Sequence, residues 1–206
     1  MGRQSENPGG SKVRERLLEV GVEFFARKGY AATNVREIVE AAGVTKPVLY
    51  YYFGSKEGLY LEILRQSLAM YQSEVEAALA EGGTATERLF RVTDRVLKLI
   101  LEHLDVIKIL HSVYYGPPQG SPFFDFEVFH SSFQELITRL VEEGMAKGEL
   151  RRAEVSDVTL AIIGALEIVQ GMHLCHPEVA TGREGLERVL KVMFRGISTK
   201  PNAFKE

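Results

Sequence analysis

Residues 45–60 read TKPVLYYYFGSKEGLY, a crowd of aromatics in a chain without tryptophan. At helical spacing Lys46, Pro47, Tyr50 and Tyr51 share one face, and Val48, Leu49, Tyr52 and Phe53 share the other. The apolar set must face the protein. The outward set suits the major groove of duplex DNA. An ammonium at Lys46 can reach a guanine edge or a phosphate, Pro47 can touch a thymine methyl, and phenols can donate to phosphate oxygens. Nothing comparable points to covalent chemistry: there is no G-x-S-x-G elbow, glycine-rich phosphate loop or His-Glu metal constellation. An enzyme or ligand carrier is the weaker rival, and no cofactor is expected.

The elements that must hold this face can be read from capping and periodicity. Residues 1–11 are polar, with Pro8, Gly9 and Gly10, and are expected to be a disordered arm. Ser11 can cap a helix in which Val13, Leu17, Val20, Gly21, Phe24 and Phe25 form a buried face, and Gly29 stops it. Gly21 in mid-helix implies close approach of another helix. Asn34 and Glu37 form a capping box for a second helix through VREIVEAA, ended by Gly43. Thr45 is then a cap for KPVLYYYF, with Pro47 tolerated in the first turn. Two short helices joined by a tight glycine-containing turn form a helix-turn-helix.

Ser55 caps a longer helix to about residue 80, where EGGTAT interrupts it. Helical periods follow over about 87–104, 105–115, 123–147, 156–175 and 185–197, with the break GPPQGSP after the second of these. No segment alternates with period two, so the fold class is all-α. The expected organisation is an arm over 1–11, a three-helix DNA-binding domain over 12–54, a helical ligand-binding and dimerisation domain over 55–198, and a tail over 199–206.

Charge is distributed in the same sense. The whole chain carries a net charge of −3, yet residues 1–56 hold nine basic and six acidic side chains, leaving the remaining 150 at −6. A basic end on an acidic body suggests that the end meets an anionic partner. Cys175 is the only cysteine, which excludes an intramolecular disulfide and fits a reducing compartment. No signal-peptide core or uninterrupted apolar run of membrane length is seen, so the expectation is a cytoplasmic protein without a membrane partner.

The stretch ATNVREIVEAAGVTKPVLYYYFGSKEGLY, with the preceding FFARKGY, resembles the DNA-binding signature of the TetR family of bacterial transcription regulators. The resemblance covers roughly residues 12–60 and returns weakly in GMAKGELRR. It implies DNA contacts from Arg36, Thr45, Lys46, Pro47, Tyr50 and Tyr51, and a phosphate contact from Lys56. Val48 departs from a common threonine or glycine, putting one phosphate bond in doubt. Tyr52 can point inward or toward the DNA backbone.

In the acidic body the aromatics gather in FFDFEVFHSSF, where Phe126, Phe129, His130 and Phe133 fit one helical stripe. They can be core, or can line an apolar cavity for a small molecule. The family resemblance favours a cavity, with His103, His111, Tyr114, His130, Gln134, Gln170 and His173 as candidate polar lining. The histidines have no recognised zinc spacing, so no metal site is expected. The segment VTLAIIGALEIVQGMHLC is apolar on nearly every face and, with the amphipathic last helix, resembles the pair that builds a dimer interface in the family. The combined expectation is a ligand-responsive regulator, most simply a repressor. It would bind an inverted-repeat operator as a homodimer through its last two helices, and a small apolar or aromatic effector would release it.

Overall fold

The computed structural model describes residues 8–114 and 120–197, with the side chains of 8, 9, 128 and 129 outside the description. The expectations for residues 1–7, for 115–119 and for the tail therefore lie outside the described residues. Nine helices are present among those described: α1 (Pro8–Ala32), α2 (Val35–Ala42), α3 (Lys46–Phe53), α4 (Lys56–Ala80), α5 (Ala85–Glu102), α6 (Leu104–Tyr114), α7 (Glu127–Ala146), α8 (Val155–Cys175) and α9 (Gly182–Ile197). The chain divides into two compact units, one of Met1–Leu68 with Asp105–Phe124, the other of Ala69–Leu104 with Asp125–Glu206. These units do not follow the boundary expected after residue 54, because α6 and the residues after it belong with the N-terminal helices.

In the first unit, α1 begins earlier than expected, at Pro8 rather than after Ser11. Proline suits a first turn, where its missing N–H would have no partner anyway. Ser11 thus lies inside the helix, its hydroxyl donating to the Glu15 carboxylate at 2.7 Å. The break at Gly29 falls where expected, as a kink with φ 76° and ψ 167° that a Cβ would strain. Gly21 meets α4 closely: a Cβ there would lie 3.1 Å from both Ile63 Cδ1 and Leu59 Cδ2. Leu17, Val20, Phe25, Ile38, Leu49, Leu59, Tyr60 and Ile63 are buried in this unit. The Tyr60 ring stands edge-on to Phe25 at 5.1 Å and to Tyr30 at 5.0 Å. Burial pushes its phenol pKa up to about 12, against the pull of a hydrogen bond with Ser121.

The second unit is built on α5, which packs against α7, α8 and α9, while α8 packs against α7 and α9. A capping box of Thr84 and Glu87 starts α5. The GMAKGELRR turn supplies a further cap, since the Glu149 carboxylate accepts from the backbone N–H of Ala85 at 2.7 Å and of Thr86 at 3.3 Å. An anion at these unpaired amides is favoured by the helix dipole as well as by the bonds. Gly144 permits the approach, as a Cβ there would lie 2.9 Å from Leu150 Cδ1 and 3.4 Å from Ala85 Cβ. Across the same unit Arg183 forks onto Asp94 with N···O distances of 2.6 and 2.5 Å.

By length and composition α8 is apolar enough to cross a membrane, at a mean hydropathy of 1.6, although no uninterrupted apolar run of that length occurs in it. Its buried side chains include Val158, Ile162, Ala165, Leu166 and Val169, and it packs against α5, α7 and α9. Asp157 and Glu167 interrupt it.

Candidate nucleic-acid interface

The candidate reading surface is positioned by caps at both ends of a short two-helix unit. Asn34 and Glu37 form their expected capping box at the start of α2, with Asn34 Oδ1 accepting from the Arg36 N–H at 2.9 Å. Gly43 ends α2 in the left-handed conformation, φ 68°. Thr45 has the extended backbone of an N-cap to α3, but its hydroxyl makes no capping bond. Ser55 caps α4, its Oγ accepting from the Gly58 N–H at 2.9 Å.

On α3 the two faces separate as the spacing requires. Leu49 is fully buried, Val48, Tyr52 and Phe53 are half-buried, and Thr45, Lys46, Pro47, Tyr50 and Tyr51 are exposed. Of the two outward tyrosines Tyr51 is the more exposed, at 82% against 46% for Tyr50. Tyr52 leans partly inward, edge-on to Tyr51 at 5.1 Å and tilted against Phe53 at 6.3 Å. The inner end of α3 is held by Arg14, whose guanidinium lies 5.6 Å from the Phe53 ring centroid and pairs with Glu62 of α4.

Many of the basic side chains of this unit are engaged internally. Arg16 pairs with Glu19, Arg27 with Glu23, and Lys28 with Glu37. Arg36, expected to reach a base, is exposed and bonded through Nε to Glu40 at 2.6 Å, and that hydrogen bond raises its pKa. Lys46 has no ion pair or hydrogen bond among the described residues. It is an uncommitted cation on the exposed face of α3.

Lys56, expected at a phosphate, is occupied within the protein. Its ammonium donates to the carbonyl oxygens of Tyr30 at 2.9 Å and Thr33 at 3.0 Å and lies 4.1 Å from the Tyr30 ring centroid. Partial burial lowers its pKa from the ordinary lysine value. The buried Thr33 hydroxyl lies 2.7 Å from the Gly29 carbonyl and 3.2 Å from that of Phe24, so its one proton serves either. Spacing could not reveal these partners, because the carbonyls that Lys56 meets lie 26 and 23 residues away, at the end of α1 and in the link to α2.

The candidate effector residues are more scattered. His103 is the exposed C-cap of α5, and His111 and Tyr114 are exposed on α6. Phe126 sits before α7 rather than on a stripe along it, and the Phe129 side chain lies outside the described residues. Phe133 is buried and edge-on to Tyr71 at 6.1 Å, which is core packing. His130, Gln170 and His173 are half-buried, and the His173 Nδ1 lies 2.8 Å from the Val169 carbonyl. Gln134 borders an open depression along α7 with Ser131, Ser132, Glu135, Leu136, Thr138 and Arg139.

Comparison with known proteins converges on the same segment. The family described as bacterial regulatory proteins, tetR family, matches residues 17–63. The HTH-type transcriptional regulator YdgC of Bacillus subtilis is 33% identical over 104 residues, 48% of this chain and 53% of that protein. The chain thus spans about half the length of that relative. The HTH-type transcriptional repressor KstR2 of Mycolicibacterium smegmatis is 29% identical over 141 residues, 67% of each chain. Among solved structures, the ketosteroid transcriptional regulator KstR2 of Mycobacterium tuberculosis superposes with a TM-score of 0.75 at 22% identity, over 96% of this chain and 98% of that one. Residues 17–63 thus match the N-terminal segment of the tetR family of bacterial regulatory proteins, and the helical fold of the chain is shared with solved regulators.

Proposed function

We propose that the protein is a ligand-responsive transcriptional repressor that binds an inverted-repeat operator as a homodimer and is released by a small apolar or aromatic effector. The observation that carries the DNA-binding half is the division of α3: Leu49 is buried while Lys46, Pro47, Tyr50 and Tyr51 stand exposed beside a cap hydroxyl, Thr45, that makes no capping bond. Lys46 supplies a free cation, the two phenols supply phosphate donors, and Pro47 and the tyrosine rings supply apolar contact for thymine methyls. Arg36 joins them from α2 once it leaves Glu40.

A two-turn helix reads only a few base pairs, so a two-fold dimer is needed to read a longer site. On α8 Leu160 and Ile168 are 61% and 62% exposed, and on α9 Val189 and Val192 are 45% and 72% exposed. A Cβ at Gly164 would meet nothing within 4 Å, leaving room for a partner helix against α8. These surfaces support self-association through the last two helices. The functional division proposed is a reading head over 12–54 and a binding and dimerisation body over 55–198; it differs from the compact units, to both of which α4, the lever in this reading, contributes residues. An effector coupling of about 1 to 3 kcal/mol would weaken operator binding about 5-fold to 150-fold. KstR2 is named for ketosteroid regulation, which fits an apolar effector here. Relatives that are transcriptional regulators argue for a cytoplasmic DNA-binding protein rather than an enzyme.

The test is selection of duplexes from a random library by the purified protein, followed by titration of the enriched site. A pseudo-palindrome bound steeply more tightly at low than at moderate salt supports the proposal. Failure to enrich any site, with binding weak at every salt concentration, would remove it.

A further inference from the structure

We infer that Lys56 is a positioning residue that fastens the two ends of the helix-turn-helix to each other, and is not a phosphate anchor; the inference rests on the DNA-reading function proposed above. Thr33 immediately precedes Asn34, the N-cap of α2, and Lys56 opens α4 just beyond the last residue of α3, Phe53. The bond from Lys56 Nζ to the Thr33 carbonyl, 3.0 Å, therefore closes a ring of chain that contains α2, the turn and α3 and nothing else. The second bond, 2.9 Å to the Tyr30 carbonyl, ties that ring to the end of α1 beyond the Gly29 kink.

The chemistry of the site is that of a cation holder. Two carbonyl oxygens and the π face of Tyr30, 4.1 Å away at the centroid, surround the ammonium. Each favours the charged form, and together they replace much of the water that the ammonium loses. Tyr30 is itself fixed, stacked on Phe25 at 5.8 Å and edge-on to Tyr60 at 5.0 Å. An ammonium so engaged has one N–H left, and moving outward would cost both of these bonds, leaving the Tyr30 carbonyl only the Thr33 N–H at 3.3 Å. Lys46, by contrast, has no partner among the described residues and is a cation on the exposed face of α3 free to meet phosphate.

The experiment compares wild type, K56M and K46A on the duplex that wild type enriches from a random library, with amide hydrogen exchange measured on each protein without DNA. K46A should lower the slope of log affinity against log salt by about 0.9, the value of one lost phosphate contact, and leave exchange in residues 33–43 unchanged. K56M should weaken binding about 10-fold or more at an unchanged slope, and should speed exchange in residues 33–43 of the free protein about 10-fold. A K56M slope reduced by about 0.9 with unchanged free-state exchange would make Lys56 a phosphate anchor and overturn the inference. Should K56M not fold, K56R decides: it keeps the charge, so a phosphate anchor would retain affinity, whereas a clamp built for a compact ammonium would lose it and loosen residues 33–43. If wild type enriches no DNA, the repressor reading fails, while the exchange comparison on the free proteins still decides the clamp.

Discussion

A Cβ placed on Gly58 would lie 1.9 Å from the carbonyl oxygen of Phe53, so the first turn of α4 can pass the end of α3 only with glycine at this position. The obstacle is backbone and cannot swing aside. G58A should therefore destabilise the protein by about 1 to 3 kcal/mol, in the range of core overpacking, and should weaken DNA binding by displacing α3. G21A is the control, since its nearest neighbours are the side-chain tips of Ile63 and Leu59 at 3.1 Å, and the helix gains about 1 kcal/mol in propensity. Urea unfolding should place G21A near wild type and G58A well below it. Equal stabilities would show that the turn yields.

Two N3 carboxylates make the helix starts sensitive to acid. Glu37 is held below the ordinary glutamate range by the Lys28 ammonium and then by the Asn34 N–H, and Glu87 by the backbone N–H and then the hydroxyl of Thr84. A depressed folded-state pKa means that the stabilisation is complete above the unfolded value of 4.5 and is lost as pH falls through the folded values. Thermal unfolding at about pH 7 and about pH 3 should show the loss. The E37Q/E87Q variant, which keeps an acceptor but cannot titrate, should show a smaller fall between the two pH values. An undiminished fall would place the acid sensitivity elsewhere.

The parts of the fold that were legible in the sequence are those decided within a few residues. The Asn34–Glu37 box, the α3 face pattern and the Gly29 break depend on local spacing, and each is present. Gly21 was legible as a helix contact because glycine in a helix is costly without one. Lys56 was not, because its partners, the Tyr30 and Thr33 carbonyls, become available only when the kink and the α4 start meet in space. The cap from Glu149 to α5 was hidden for the same reason, its donors lying more than sixty residues away. Phe133 illustrates a different limit: an aromatic on a helix has the same spacing whether it meets Tyr71 in a core or lines a cavity.

Arg36 is paired with Glu40 at 2.6 Å, and both are well exposed, so a carboxylate stands beside the surface proposed to read DNA and holds the arginine proposed to contact a base. Removing that charge should help binding. E40Q is expected to bind the enriched duplex about 3-fold to 10-fold more tightly at low salt, with the gain shrinking at high salt as screening shortens the range of the carboxylate. R36A should bind about 10-fold to 100-fold more weakly, losing a base-edge contact. Fluorescence anisotropy across a salt series measures both. An E40Q protein that binds more weakly at every salt concentration would mean that Glu40 orients Arg36 toward the base, and the pair would then be a reading device rather than a restraint.

The surface proposed for self-association can be broken without touching the core that lies beneath it. Leu160 and Ile168 are 61% and 62% exposed, whereas Ile162 on the same helix is 0% exposed. Covering each exposed side chain in a dimer would contribute up to about 1.5 to 3 kcal/mol, so placing two carboxylates there should dissociate it while leaving the single chain folded. L160E/I168E is therefore expected to sediment at half the wild-type mass with an unchanged far-UV spectrum, and to lose operator affinity because one reading head cannot span both half-sites. I162E is expected to unfold, since it places a charge where no water reaches. A double variant that keeps the dimer mass would remove α8 from the interface and shift attention to Val189 and Val192 of α9, which remain exposed at 45% and 72%.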